Sequence, residues 1–199
     1  KTNYLYNENC LDTMARMKDN FIDLIVTSPP YDGLRTYNGY SFPFEDIAKE
    51  LYRVTKDGGI VVWIVADKVN KGSESGTSFK QALYFKECGK FLSRGDGNSE
   101  NINKAGGNKV AKERISFNVY NLSVGGKNYG HPAIFPEQLA NDHILSWSNE
   151  NDIVYDCFMG SGTTAKMAII NKRNWIGSEM SLDYCEIVHE RLKQFDNDI

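Results

Sequence analysis

Apolar positions along this chain fall into two kinds of segment that alternate. Short apolar runs occur at Tyr4-Leu5-Tyr6, Phe21-Ile22-Asp23-Leu24-Ile25-Val26, Ile60-Val61-Val62-Trp63-Ile64-Val65, Ile153-Val154-Tyr155 and Trp175-Ile176. Their length and β-branched content are those of strands, and a run apolar at every position is buried on both faces of its sheet. Between the runs, apolar residues recur three and four apart: Leu11, Met14 and Met17; Phe44, Ile47, Ala48, Leu51 and Val54; Leu182, Cys185, Val188 and Leu192. That spacing marks one face of a helix. The predicted order is strand 4–6, helix 10–17, strand 21–27, helix 44–54, strand 60–65, helix 77–88, a helix from Pro136, strand 153–156, helix 163–171, strand 175–179 and a last helix capped by Ser181. Asp57-Gly58-Gly59 reads as the stop of the 44–54 helix, and 67–76 as a polar loop. Strands alternating with helices imply an α/β fold, a mainly parallel sheet flanked by helices.

The alternation fades over 89–130, where only 116–124 looks like a strand and the rest is rich in Gly, Asn, Lys and Ser. The expected organisation is a single domain over 1–199 with a flexible segment at about 89–130. Charge sharpens this picture. The chain of 199 residues carries −3 overall, yet from Lys90 to Lys127 seven basic residues face three acidic ones, so that segment is +4 and the remainder −7. A solvated loop accounts for such a bias, and so does a surface for a polyanion. The four cysteines (Cys10, Cys88, Cys157, Cys185) form no Cys-x-x-Cys pair, which argues against a zinc site or a disulfide framework. They fit a reducing, cytoplasmic setting. The longest apolar run, 60–66, is too short to span a bilayer, so no membrane partner is expected.

Two stretches carry candidate chemistry. The first, Thr27-Ser28-Pro29-Pro30-Tyr31, ends the second strand. Two prolines without N–H groups cannot continue a ladder, so the chain leaves the sheet abruptly with a hydroxyl, carbonyls and a ring exposed at the carboxyl end of a strand. The second, Asp156-Cys157-Phe158-Met159-Gly160-Ser161-Gly162-Thr163-Thr164, follows a strand and opens a helix. Gly160 and Gly162 permit a tight turn and close approach to a ligand. There is no Gly-Lys-[Ser/Thr], which excludes a P-loop, and Lys166 stands near the place of the third glycine of a dinucleotide fingerprint. Glu179, at the end of the next strand, is placed to accept hydrogen bonds from the ribose of an adenosine-type cofactor.

The two stretches suit one reaction. The exocyclic amine of a nucleobase is a poor nucleophile because its lone pair is delocalised into the ring. A Ser hydroxyl and a Pro carbonyl can accept its N–H groups, and a Tyr ring can stack on the base. Positioning and hydrogen bonding then supply most of the catalysis. No Pro-Cys marks a nucleophile for ring-carbon methylation.

Thr-Ser-Pro-Pro-Tyr followed much later by Asp-Cys-Phe-Met-Gly-Ser-Gly-Thr-Thr resembles the S-adenosylmethionine-dependent DNA amino-methyltransferases of the N4-cytosine/N6-adenine family, in the circularly permuted order of its beta class. His131-Pro132-Ala133-Ile134-Phe135-Pro136-Glu137 is similar to the family motif that precedes the cofactor loop, and Glu8-Asn9-Cys10-Leu11 to its stretch beside the cofactor's adenine. The resemblance implies a Rossmann-like fold, S-adenosyl-L-methionine as cofactor, double-stranded DNA with a flipped base as substrate, and a place in restriction-modification. It leaves a homodimer open. It implies catalytic roles for Ser28, Pro29, Pro30 and Tyr31. It implies cofactor contacts from Asn9, Cys10, Thr27, Phe135, Pro136, Asp156, Phe158, Gly160, Ser161, Gly162, Thr163, Thr164 and Glu179, and no metal. Ser28 looks more like the N4-cytosine type, with N6-adenine methylation as the alternative and a small-molecule or protein methyltransferase as a more remote one. Two further strands and a target-recognition region belong between 88 and 131, and 89–130 is short and polar for them. Trp63 and Trp175 read as core. Tyr37, Tyr40 and Phe42 read equally as DNA contacts or as loop packing, and Asp32 as a pocket residue.

Overall fold

The computed structural model describes residues 1–30, 42–65, 67, 69–71, 73–89 and 136–198. In chain order the elements are β1 (Tyr4–Tyr6), α1 (Cys10–Ala15), β2 (Ile22–Thr27), α2 (Phe44–Val54), β3 (Thr55–Trp63), β4 (Val69–Asn70), β5 (Ser73–Glu74), α3 (Thr77–Gly89), α4 (Glu137–Trp147), β6 (Ile153–Asp156), α5 (Thr163–Ile170), β7 (Asn174–Ser178) and α6 (Leu182–Leu192), with a short 3-10 turn over Lys193–Asp198. Five strands form one parallel sheet in the order β1-β7-β6-β2-β3. The crossing of sequence order is the decisive feature: β2 pairs with β6 through Leu24↔Val154 and Ile25↔Tyr155.

Both faces of the sheet are covered, which is why its strands are apolar at consecutive positions. Ile25, Tyr155 and Ile176 face a layer containing Met14, Ile47, Leu51 and Phe85 from α1, α2 and α3. Leu24, Val26, Val154 and Trp175 face the opposite layer, with Ala140, Ile144, Ala165, Ala168 and Val188 from α4, α5 and α6. Trp63 and Trp175 lie in these cores, as expected.

Three local readings change. The α2 helix ends at Val54 as its apolar spacing predicts, but Asp57-Gly58-Gly59 is not its stop. Thr55 is: its N–H and its hydroxyl both bond to the Leu51 carbonyl, and β3 starts at that residue. Gly58, at φ 79°, lies where the β2–β3 register shifts, so the glycines make a bulge inside the strand. A Cβ on Gly59 would stand 2.9 Å from the Asp23 carbonyl oxygen, so no larger residue fits there. The 67–76 loop contains the β4–β5 hairpin. Pro136 sits one position before the helix that it was expected to begin. The strand expected over 116–124 lies outside the described residues. Among those residues no helix is long and apolar enough to cross a membrane.

Candidate active site

β2 and β6 run side by side and end together, so the Thr27–Pro30 corner and the glycine loop leave the same edge of the sheet. Asp156, the last residue of β6, is 1% exposed. Its Oδ1 accepts the Thr27 hydroxyl at 2.6 Å and the Phe158 N–H at 3.0 Å, and its Oδ2 accepts the Thr164 hydroxyl at 2.7 Å. Burial pushes this carboxyl up to about 6, against the opposing pull of those three donors. All of its described partners belong to the chain itself. The Thr27 carbonyl accepts the Ile64 N–H at 2.9 Å, so the last residue of β2 is tied on both sides. Ser28 and Pro30 follow half-buried, and Pro29 is buried. Tyr31, the expected stacking ring, lies outside the described residues, as do Asp32, Tyr37, Tyr40, His131 and Phe135.

The glycine loop is built on backbone that only glycine adopts without strain. Gly160 has φ 52° and Gly162 φ 83°. Glu179 spans this loop and the next turn: its Oε2 accepts the Gly160 N–H and its Oε1 the Ser181 N–H, each at 2.8 Å. Burial raises the Glu179 carboxyl, while these N–H groups lower it. The Met180 N–H bonds to it as well, so of the about four hydrogen bonds that a carboxylate accepts, about one is left for a ribose hydroxyl. The Thr163 hydroxyl, in the first turn of α5, is buried without a hydrogen-bond partner among the described residues. A turn of glycines in the left-handed region, an acceptor carboxylate beside it and an orphaned hydroxyl at the helix start fit the charged and hydroxylated parts of an adenosyl amino acid.

Gly162 carries a second constraint besides its backbone. A Cβ there would lie 3.1 Å from both methyls of Val188, so its lack of a side chain lets α5 close on α6. Asn9 caps α1, with its Oδ1 accepting the Leu11 N–H at 2.9 Å. Cys10 is packed in the core against Cys157. Phe158 touches Phe42 and Trp63 with ring centroids 5.7 and 6.2 Å away, which assigns Phe42 to packing against the loop.

One feature of the site was not read from the sequence. Glu137 at the start of α4 accepts from Lys166 of α5 and from Arg191 of α6, at 2.8 and 2.9 Å. Arg191 also donates to the Ser161 carbonyl and hydroxyl. The glycine loop is thereby clamped to the residue that follows Pro136. Arg191 lies three residues after Val188, at the border of an apolar stripe. A charge in that place was the available signal.

Comparison with known proteins agrees with this geometry. The family model described as DNA methylase, of the N6/N4 methyltransferases, matches residues 96–190. The orphan methyltransferase M.BamHII of Bacillus amyloliquefaciens is 45% identical, over 90% of this chain and 93% of its own length. That alignment runs over 246 positions, of which this chain, matched over 90% of its 199 residues, fills about 179, so the relative carries residues without counterpart in this chain. Among solved structures, the PvuII DNA methyltransferase (cytosine-N4-specific) superposes with a TM-score of 0.71 at 21% identity, covering 100% of this chain and 88% of that one. The M1.HpyAVI–SAM complex gives 0.61 at 21% identity, covering 94% and 98%. With a relative of this identity matched over nearly its whole length, the chain belongs to the S-adenosylmethionine-dependent DNA amino-methyltransferases of the N4/N6 family.

Proposed function

We propose that this enzyme methylates N4 of cytosine at a specific site in double-stranded DNA. The observation that carries the site is the pairing of β2 with β6, which supports bringing Ser28-Pro29-Pro30 against the glycine loop. The Ser28 hydroxyl and the Pro29 carbonyl accept the N–H groups of the target amine. Those bonds draw the amine out of conjugation with its ring and keep its lone pair on nitrogen. Tyr31 stacks on the flipped base. Glu179 holds the cofactor's ribose, and Gly160, Ser161, Thr163 and Phe158 its amino-acid end, with Asn9 and Pro136 beside it. S-adenosylmethionine, when bound, supplies a methyl group on a sulfonium. No enzyme nucleophile takes part, and the nitrogen releases one proton as it gains the methyl. Ser28 as the first residue of its motif favours cytosine.

The residues that M.BamHII has in excess belong, on this reading, between 88 and 131, where a target-recognition region is expected and where the basic excess lies. This reading is compatible with a monomer or a homodimer, which sedimentation distinguishes. Incubation with labelled cofactor and mixed-sequence duplex DNA, followed by nucleoside mass spectrometry, tests the assignment. N4-methylcytosine is expected. N6-methyladenine overturns the choice of base, and the absence of any methylated nucleoside overturns the assignment. Ser28→Ala and Tyr31→Ala are expected to lower turnover sharply with cofactor binding retained, and normal turnover in both sinks the proposed roles.

A further inference from the structure

Asp156 is the one buried carboxylate among the described residues, and no cation is recorded against it. Its bonds join three places that must keep register. Thr27 is the last residue of β2, one position before Ser28. Phe158 belongs to the glycine loop. Thr164 is in the first turn of α5. We infer that Asp156 is a positioning residue, a clamp that holds the Ser28 corner at a fixed distance from the glycine loop, and not a ligand of the cofactor. The inference rests on the reading of Ser28 and the glycine loop as the two halves of the transfer site.

Proton inventory makes the clamp testable. The Thr164 hydroxyl lies 2.7 Å from Asp156 Oδ2 and 3.2 Å from the Val26 carbonyl, and it has one proton, given to the carboxylate. In an Asp156→Asn variant the amide oxygen still accepts from Thr27 and Phe158. The amide N–H₂ donates to the Thr164 oxygen, and the released Thr164 proton turns to Val26. Thr27, Phe158 and Thr164 stay paired without the charge, and the cost is confined to the second amide N–H. In Asp156→Ala the Thr27 hydroxyl and the Phe158 N–H lose this acceptor, while the Thr164 hydroxyl turns to the Val26 carbonyl, so the end of β2 is released from the glycine loop although Val26 still meets α5.

Both variants are compared with wild type by hydrogen exchange, by cofactor titration calorimetry and by steady-state methyl transfer. In Asp156→Ala, peptides covering 22–30 and 157–166 are expected to exchange faster together. The turnover at saturating substrates is expected to fall about 100-fold, the scale of a small misplacement of reacting groups. Cofactor Kd is expected to stay within about 3-fold, and Asp156→Asn to keep turnover within about 3-fold of wild type. A Kd raised 10-fold or more with turnover at saturation unchanged makes Asp156 a cofactor ligand and overturns the inference, as does unchanged exchange in both peptides. Should Asp156→Ala not fold, Thr27→Val removes one strand of the clamp alone; unchanged exchange over 22–30 in that variant also overturns it. The exchange measurement reads the clamp without turnover, so an enzyme inactive on DNA would defeat the functional reading while this one is still decided.

Discussion

The Thr27 hydroxyl donates to the Asp156 carboxylate at 2.6 Å across 129 positions of sequence, joining the end of β2 to the end of β6. Thr27 has no exposed surface, so water cannot replace this bond. Thr27→Val keeps shape and removes the donor. The expected cost is about 1–3 kcal/mol, the range for leaving a buried charged acceptor short of a partner. Urea unfolding measures it, and a loss under about 0.5 kcal/mol would mean that the remaining donors suffice.

The same carboxyl sets a pH dependence. Its folded value lies at about 6, above the ordinary 3.8, because it is buried. Between those values the folded chain keeps a proton that the unfolded chain has released. Stability therefore falls as pH rises through the window, and the loss is complete above about 6. The titratable neighbours are Tyr155 and Cys157, both raised and neutral, and Glu179. The Asp156 charge is a lesser cause of the raised Glu179 carboxyl, behind burial, so most of the Glu179 contribution cancels between wild type and Asp156→Asn. Wild type is expected to lose about 2–3 kcal/mol relative to Asp156→Asn between pH 4 and pH 7.5, at about 1.4 kcal/mol per pH unit. A difference independent of pH contradicts the raised carboxyl.

Gly162 combines two constraints that substitution separates. Alanine there must adopt φ 83° and place a Cβ 3.1 Å from the Val188 methyls. We expect Gly162→Ala to cost about 2–4 kcal/mol, of which about 1–2 is the left-handed backbone. Val188→Ala relieves only the contact. In a double-mutant cycle the pair is therefore less destabilised than the sum of its parts by about 1 kcal/mol. Additivity would show that the contact relaxes freely and that the backbone alone demands glycine.

How much of this was legible depended on whether the cause was local. The α2 bounds 44–54 came directly from five apolar residues on one face, and β2 and β6 from runs that parallel strands require. The two candidate stretches read as serving one reaction, and the strands that carry them, β2 and β6, pair in the sheet. What escaped was set by partners distant in sequence. Nothing near Asp156 reveals that two threonine hydroxyls arrive at it from β2 and α5. Nor does anything near Gly162 reveal its packing on Val188, 26 positions away (188 − 162). The Gly58-Gly59 bulge mimicked a helix stop, because the same two residues serve either purpose and only the Thr55 bonds to Leu51 decide.

The Glu137–Arg191–Ser161 chain gives the last prediction. Arg191 is 11% exposed at its side chain, and its guanidinium holds Glu137 while donating to the Ser161 carbonyl and hydroxyl. Lys166 holds Glu137 from the other side. Arg191→Met keeps most of the buried stem and removes the fork. It frees Ser161 and leaves Glu137 with Lys166 as its remaining described partner. Because Ser161 lies between the two left-handed glycines, its release should broaden the loop that receives the cofactor. Cofactor Kd is expected to rise about 10-fold, a loss of ~1.4 kcal/mol. Turnover at saturating cofactor should change far less, because the β2–β6 register that carries Ser28 is held separately by Asp156. Glu137→Gln keeps a hydrogen-bonding side chain beside Arg191 and should raise Kd less than Arg191→Met. Titration calorimetry on both variants decides: equal affinity in Arg191→Met and wild type would mean that Gly160 and Gly162 fix the loop without the arginine.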